Sequence, residues 1–225
     1  MGSQEGTPRL KVLVVEDEPL YREMLSLALS QDAGIQVVAA VGDAESALKA
    51  ARQWQPDVAT LDIEIIGSMN GIELGVKLRG LLPRLGIVVL SNHTDPGFLD
   101  AIQRRAYSGW SYLLKKSAYD LNTLRRAVKG AACGYVVVDP QIINSARIAR
   151  GSPVERLTPR QLEILSLMAQ GYTNAAIAEA LDITAKSVEN QINLIYQQLN
   201  IDRTDRSVQP RVTAVLEYLK ASRSF

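Results

Sequence analysis

A short apolar run that ends in an acidic residue is the feature that most constrains the fold of this chain. Residues 58–71 read VATLDIEIIGSMNG, so a nearly continuous apolar stretch stops at Asp62 and a loop with two glycines follows. A strand that is apolar at almost every position fits a parallel sheet covered on both faces. Its last residue then lies at the edge where open α/β sheets bind ligands. Asp62 is either a ligand-binding group or a capping and turn residue, and other residues must decide.

The same pattern of an apolar run followed by polar residues recurs along the first half of the chain. The predicted strands cover residues 10–15, 35–41, 58–62, 86–91 and 111–114. Segments with helical periodicity follow them: the first begins at residue 19, and the others cover about residues 43–53, 71–82, 96–107 and 118–130. Strands that alternate with helices predict an α/β unit, a five-stranded, doubly wound parallel sheet.

Polar side chains stand at the carboxyl ends of four of these strands. The first strand is followed by Glu16 and Asp17, the third and fourth end in Asp62 and Ser91, and the fifth is followed by Lys115. All carboxyl ends of a parallel sheet lie on one edge, so these groups should meet. Clustered carboxylates are suitable ligands for Mg²⁺. A carboxylate can also accept a phosphoryl group, and an ammonium and a hydroxyl can then bind the phosphoryl oxygens. The set predicts a pocket that accepts a phosphoryl group.

Composition excludes several other kinds of site. A single cysteine and a single histidine, His93, cannot build a zinc site of the usual kind, and the cysteine usage suits a reducing cytoplasm. The net charge of +1 gives no global attraction to nucleic acid or to an anionic membrane. No apolar stretch reaches the roughly 20 residues that a membrane span needs. Residues 1–8 are expected to form a disordered tail.

The first half resembles the receiver domain of two-component response regulators. The resemblance covers about residues 9–130 and rests on the motifs VVEDEP, LDIEI, MNG, VVLS and YLLKKS. It implies a flavodoxin-like fold with Asp62 as the phosphorylated residue. It also implies a Mg²⁺ site formed by Glu16, Asp17, Asp62 and the backbone carbonyl of Glu64. Ser91 and Tyr112 are implied as switch residues, and Lys115 as the phosphoryl-binding lysine.

Two details of this resemblance are specific to the chain. Lys116 could replace Lys115, but the alternation of side chains along a strand places Lys116 on the other face, so Lys115 is favoured. The loop at residues 65–68 carries one residue more than the family usually has, which predicts a displaced loop beside the site.

The second half reads as helical. After a predicted linker over residues 131–153, three short amphipathic segments lie between residues 157 and 199. A tight turn joins the second and third segments, a pattern that fits either a helix-turn-helix or a plain helical bundle.

Residues 157–201 read LTPRQLEILSLMAQGYTNAAIAEALDITAKSVENQINLIYQQLNI. This stretch resembles the LuxR-type DNA-binding domain, over about residues 157–219, which implies a four-helix helix-turn-helix. With the receiver it implies the NarL/FixJ class of response regulators. The resemblance assigns residues 186–197 to the exposed part of the recognition helix and residues 211–219 to a dimerisation helix. The residues expected to contact DNA are Lys186, Glu189, Asn190, Gln191 and Asn193. Asparagine and glutamine can read adenine, and glutamate can accept from cytosine.

The charge of this domain is a departure from the usual DNA-binding pattern. From residue 151 onward eight basic residues balance eight acidic ones, and the family usually has a basic residue at position 189 and a histidine at position 191. Phosphate contacts dominate affinity for DNA, so a monomer of this domain should bind weakly.

These observations predict a tail (residues 1–8), a receiver domain (9–130), a linker (131–153) and a LuxR-type domain (154–225). We expect a cytoplasmic bacterial transcriptional regulator that a sensor histidine kinase phosphorylates, that binds double-stranded DNA, and that forms a homodimer when active. It is not expected to be an enzyme or to bind membranes. Two alternatives stay open: a regulator whose helical domain binds a protein, and a phosphatase with an aspartyl-phosphate intermediate.

Overall fold

The structure, a computed structural model, is described here over residues 9–65, 69–93, 108–204 and 209–223. Its first half alternates strands and helices as the apolar pattern predicts. In chain order these elements are β1 (Leu10–Val15), α1 (Pro19–Ser30), β2 (Ile35–Val41), α2 (Ala44–Trp54), β3 (Val58–Asp62), α3 (Gly71–Leu81), β4 (Gly86–Ser91), β5 (Trp110–Leu114) and α4 (Leu121–Ala132). The helix predicted for residues 96–107 and most of the loop at residues 65–68 lie outside the described residues.

The sheet has six parallel strands rather than the five predicted. Its order is β2-β1-β3-β4-β5-β6, and the added edge strand is β6 (Val137–Val138), which pairs with Ser111 and Tyr112 of β5. Two apolar residues are too few to show a strand period, so the sequence pattern did not predict this strand. All five residues of β3 and of β5 are buried, as expected for a sheet covered on both faces.

Helix α1 buries only some of the apolar residues that fit an amphipathic stripe. Leu25 and Ala28 are buried, whereas Leu20 and Leu27 are 75% and 62% exposed. The buried face also contains Tyr21 and Leu29. The inward face of α1 thus presents an aromatic hydroxyl to the sheet, which the apolar pattern did not predict.

The predicted linker is structured. After β6 it continues with α5 (Pro140–Ser145), β7 (Arg147–Ile148) and a short 3-10 helix (Pro153–Arg156). Strand β7 pairs in antiparallel fashion with β8 (Ser222–Arg223), so the linker contacts the end of the chain.

The second half is helical: α6 (Pro159–Ala169), α7 (Asn174–Ala180), α8 (Ala185–Gln198) and α9 (Pro210–Ala221). Threonine side chains cap the first three helices: Thr158, Thr173 and Thr184 each accept a backbone N–H from the third helical residue. Buried aliphatic side chains such as Ile164, Ile177, Val188 and Ile195 join these helices around one core. Across the described residues, every helix is too short or too polar to span a lipid bilayer.

Helix α9 is largely covered within the chain. Seven of its twelve residues are buried, and it contacts α6, α8, β7 and the 3-10 helix. The backbone N–H of Ala149 donates to the carbonyl of Ala221 at 2.7 Å. The linker therefore packs on the helix that the resemblance assigns to dimerisation.

Candidate functional site

Three acidic side chains meet at the carboxyl edge of the sheet. Neighbouring strands β1 and β3 place them there, since Glu16 and Asp17 directly follow β1 and Asp62 ends β3. One carboxylate oxygen from each residue lies within 4.8 Å of the others. Glu16 and Asp62 are buried, whereas Asp17 is half-buried. The parallel pairing of β1 and β3 thus brings together Glu16 and Asp62, which are 46 positions apart in the chain.

The ammonium of Lys115 bridges two of these acids. Its Nζ lies 2.9 Å from Glu16 Oε1 and 2.9 Å from Asp62 Oδ2. Although burial alone lowers the pKa of Lys115, the hydrogen bonds to Asp62 and Glu16 outweigh it and raise that pKa. Lys115 is therefore charged and stands as the counter-ion of the acidic cluster. Lys116 is exposed, in agreement with strand alternation.

One carboxylate oxygen of the cluster is buried and has no hydrogen-bond partner among the described residues, namely Glu16 Oε2. Burial raises the pKa of Glu16 to about 7, and the neighbouring Asp62 adds to the rise, while Lys115 opposes it. A buried oxygen without a donor, next to two further carboxylates, fits a divalent cation that prefers oxygen ligands. The acidic cluster is thus suited to hold such a cation.

The predicted switch residues Ser91 and Tyr112 contact the same backbone oxygen. The Oγ of Ser91 donates to the carbonyl of His93 at 2.7 Å and accepts from the His93 N–H at 3.2 Å. The hydroxyl of Tyr112 donates to the same carbonyl, and its side chain is fully buried. The two side chains therefore join β4 and β5 at the sheet edge, with Tyr112 turned inward.

Glu64 lies beside the acids. Its backbone N–H donates to Asp62 Oδ1 at 3.1 Å, and its side chain is exposed. The N–H bond orients the Asp62 carboxylate. The proposed role of the Glu64 carbonyl as a metal ligand stays a prediction.

Two residues of helix α1 also donate hydrogen bonds to the backbone of the site residues, and the sequence motifs did not predict this role. Arg22 donates to the carbonyl oxygens of Glu16 and Asp17, at 2.5 and 3.2 Å. Tyr21 donates its hydroxyl to the carbonyl of Lys115 at 3.1 Å. Their position in the first turn of the helix that follows the acidic pair indicates that both residues lie near the site. The direction of their side chains depends on how α1 packs, which the sequence does not show.

A second group of predicted site residues lies on the surface of α8. Lys186, Glu189 and Asn190 are exposed, and Gln191 and Asn193 are half-buried. Lys186 Nζ lies 3.2 Å from Glu189 Oε2, an exposed pair of small energetic weight. The outer face of α8 is thus polar and accessible in the intact chain.

Comparison with known protein families agrees with this arrangement. The response regulator receiver domain matches residues 12–129, which is more than half of the chain. The family described as bacterial regulatory proteins, luxR family, matches residues 155–208. The chain belongs to the NarL/FixJ class of response regulators. It is therefore a phosphorylation-controlled, DNA-binding transcriptional regulator by family.

Individual relatives match this response regulator over most of its length. The transcriptional regulatory protein DegU of Brevibacillus brevis is 30% identical, over 93% of this chain and 96% of that protein. The response regulator protein VraR of Staphylococcus epidermidis is 31% identical, over 87% of this chain and 93% of that protein. A solved structure of two RcsB dimers bound to two parallel DNAs matches with a TM-score of 0.53 at 21% identity, over 95% of this chain and 98% of that one. The last likeness shows the shared fold.

Proposed function

We propose that Asp62 accepts the phosphoryl group that controls this regulator, and that a sensor histidine kinase is the donor. The observation that carries the proposal is the meeting of Glu16, Asp17, Asp62 and Lys115 at one sheet edge. In the transfer, a carboxylate oxygen of Asp62 attacks phosphorus, and the new O–P bond forms as the N–P bond of the phosphohistidine breaks. The N–P electron pair stays on the ring, and the imidazole leaves as the neutral group because its other nitrogen already carries a proton in the phosphohistidine. Lys115 and Ser91 then bind the phosphoryl oxygens.

The same proposal assigns a Mg²⁺ site to the acidic cluster. Glu16, Asp17 and Asp62 would hold the ion together with the backbone carbonyl of Glu64. The buried, unpaired Oε2 of Glu16 supports this assignment. Bound there, Mg²⁺ supplies positive charge that offsets the repulsion between the carboxylates and the incoming phosphoryl oxygens.

The substitution Asp62→Asn tests the assignment. Asparagine lacks the nucleophilic oxygen anion, so labelling of the purified protein by radioactive acetyl phosphate with Mg²⁺ should be abolished. The matched control is Asp57→Asn, because Asp57 is an exposed acid just before the opposite end of the same strand. Its labelling should equal that of the parent. Undiminished labelling of the Asp62→Asn protein would contradict the proposal.

We further propose that the outer face of α8 reads base edges in the major groove. The exposed Lys186, Glu189 and Asn190 support this, and the related RcsB structure contains DNA. Replacing both Asn190 and Asn193 by alanine should relax sequence preference, since each bidentate contact to a base contributes about 1–3 kcal/mol of discrimination. Selection of bound sites from random duplexes measures the preference. Gln198→Ala, an exposed change at the end of the same helix, is the control and should preserve it.

An active homodimer completes this proposal. The domain from residue 151 onward has no net charge, so one copy should bind DNA weakly. Two copies joined in a dimer would bind DNA more tightly, because the second copy binds at a high effective concentration. Light scattering with and without acetyl phosphate measures the change of mass. If the phosphorylated protein stays a monomer at the concentrations that saturate DNA, dimerisation is not part of its activation.

We also propose that the protein works in the cytoplasm and turns over no external substrate. The family assignment supports both statements, because a regulator of this family takes its phosphoryl group from a kinase and acts by binding DNA. A phosphatase assay with a small phosphate ester should give no activity above that of the Asp62→Asn protein.

A further inference from the structure

The side chain of Tyr21 contacts Lys115 at two separate points. Its hydroxyl donates to the backbone carbonyl of Lys115 at 3.1 Å, in a buried position. The ammonium of the same lysine lies over the Tyr21 ring, 4.8 Å from the ring centre. This distance is within the range of a cation–π interaction. One aromatic residue thus holds both the backbone and the charged end of Lys115.

Tyr21 is itself well fixed. It stands in the first turn of α1, which begins at Pro19 only two residues after Asp17, and it is 6% exposed. The ring of Tyr119 meets it edge-on, with ring centres 5.9 Å apart and an interplanar angle of 82°. An aromatic side chain in such a place has little rotamer freedom. Tyr21 can therefore act as a rigid support for a flexible partner.

Lysine needs such support, because its ammonium is a point charge on a flexible four-carbon stem. Two of its three N–H groups bond to Glu16 and Asp62. When Asp62 carries a phosphoryl group, one of its carboxylate oxygens is bound to phosphorus in an acyl phosphate, and the ammonium must contact the phosphoryl oxygens instead. A ring beneath the ammonium and a hydroxyl on the lysine carbonyl keep Lys115 at the site during this change of partner.

We propose that Tyr21 is a positioning residue for phosphoryl transfer, acting through Lys115. This inference rests on the proposed function of Asp62 and deepens it. This role differs from that of an ordinary core residue. A core residue affects only the stability of the domain, whereas a positioning residue also affects how Lys115 binds phosphoryl oxygens.

Two substitutions divide the two contacts. Tyr21→Phe keeps the ring beneath the ammonium and removes the hydroxyl, while Tyr21→Leu removes both. The matched control is Leu20→Ala, because Leu20 stands in the same first turn of α1 and is 75% exposed. Acetyl phosphate is the donor in all assays, so that docking of a kinase plays no part. Thermal unfolding of each variant verifies that it is folded at the assay temperature.

The measurements are the rate of labelling, the affinity for beryllofluoride as a phosphoryl mimic at saturating Mg²⁺, and the affinity for Mg²⁺ alone. We expect Tyr21→Leu to weaken beryllofluoride binding and to slow labelling by about three- to tenfold. Tyr21→Phe should lose less than about threefold, because the ring remains. The Mg²⁺ affinity should change less than twofold in either variant. Leu20→Ala should match the parent in all three measurements.

A double-mutant cycle with Lys115→Met decides whether Tyr21 acts through the lysine. In the Lys115→Met background, Tyr21→Leu should have no further effect on beryllofluoride affinity. An equal loss in both backgrounds would show that Tyr21 acts independently of Lys115 and would overturn the inference, as would parental behaviour of Tyr21→Leu. Absence of Asp62-dependent labelling in the parent protein would instead count against the proposed function itself.

Discussion

At the scale of single residues, the site has more carboxylates than positively charged groups to neutralise them. Two buried carboxylates, those of Glu16 and Asp62, share one ammonium, and Glu16 Oε2 has no hydrogen-bond donor among the described residues. Burial disfavours the charged form of a carboxyl group, which is the main reason that the pKa of Glu16 rises to about 7. A proton or a divalent cation can each relieve this excess of negative charge.

The raised pKa of Glu16 predicts that the metal-free protein loses stability as the pH rises. The folded state binds this proton more tightly than the unfolded chain, whose pKa is near 4.5. The stabilisation is therefore fully present below pH 4.5 and is lost as the pH rises through 7. With EDTA present, we expect the midpoint of thermal unfolding to be a few degrees higher at pH 5.5 than at pH 8.

Two controls accompany this measurement. Glu16→Gln cannot titrate at this position, so the difference between the two pH values should shrink. Mg²⁺ should restore stability mainly at pH 8, where the carboxylate is ionised. If the parent and Glu16→Gln show the same pH dependence, the proton on Glu16 is not its source.

At the scale of elements, the sixth strand joins the site to the linker. Asp139, which follows β6 directly, donates its backbone N–H to the carbonyl of Tyr112 at 2.8 Å. Its buried carboxylate accepts the backbone N–H of Leu114 at 2.9 Å and that of Gln141, the second residue of α5, at 2.8 Å. The strand that presents Lys115 at its end is thus bonded to the start of the linker.

Asp139→Ala should therefore destabilise the receiver domain more than loss of an ordinary helix cap. It leaves the buried N–H of Leu114 without its acceptor, which costs about 1–3 kcal/mol, and it removes the cap of α5, which costs about 1 kcal/mol. Urea unfolding measures the change. Asp120→Ala, which removes the more exposed cap of α4, should cost only about 1 kcal/mol. Equal losses for the two variants would contradict the assigned role of Asp139.

At the scale of the whole molecule, the two halves contact each other away from the recognition face. The guanidinium of Arg126 on α4 lies 4.4 Å from the ring centre of Tyr172, and its Nε donates to the carbonyl of Gln170 at 3.4 Å. Arg211 lies 5.4 Å from the ring centre of Tyr135. These contacts leave Lys186, Glu189 and Asn190 exposed on α8. In this arrangement the receiver does not cover the face that is proposed to read DNA.

Arg126→Ala should loosen the contact between the two halves without changing DNA affinity. The substitution removes both the stacked guanidinium and its hydrogen bond, so small-angle scattering should show a larger radius of gyration. DNA affinity of the unphosphorylated protein should stay within about twofold, because the recognition face is already open. The control is Lys129→Ala, a change on the same helix as Arg126 that removes an ion pair with Asp32, which lies between α1 and β2. A large gain in DNA affinity for Arg126→Ala would show that the receiver blocks DNA binding.

The sequence by itself determined the elements and the identity of the residues at the sheet edge. Asp62 and the pair Glu16 and Asp17 stand where apolar runs end, and a parallel sheet brings such positions to one edge whatever the details of packing. Threonine before each of the first three helices of the second half is a local signal for a helix start, because capping depends on local hydrogen bonds. Family resemblance then named the class.

Only the tertiary structure decided which faces are buried and which groups touch. It turned Tyr21 of α1 inward under Lys115 and left Leu20 exposed, although both residues suit a buried helix face. It also paired Val137 and Val138 with β5 as a sixth strand. These outcomes depend on contacts between residues distant in the chain, and local periodicity carries no information about such contacts.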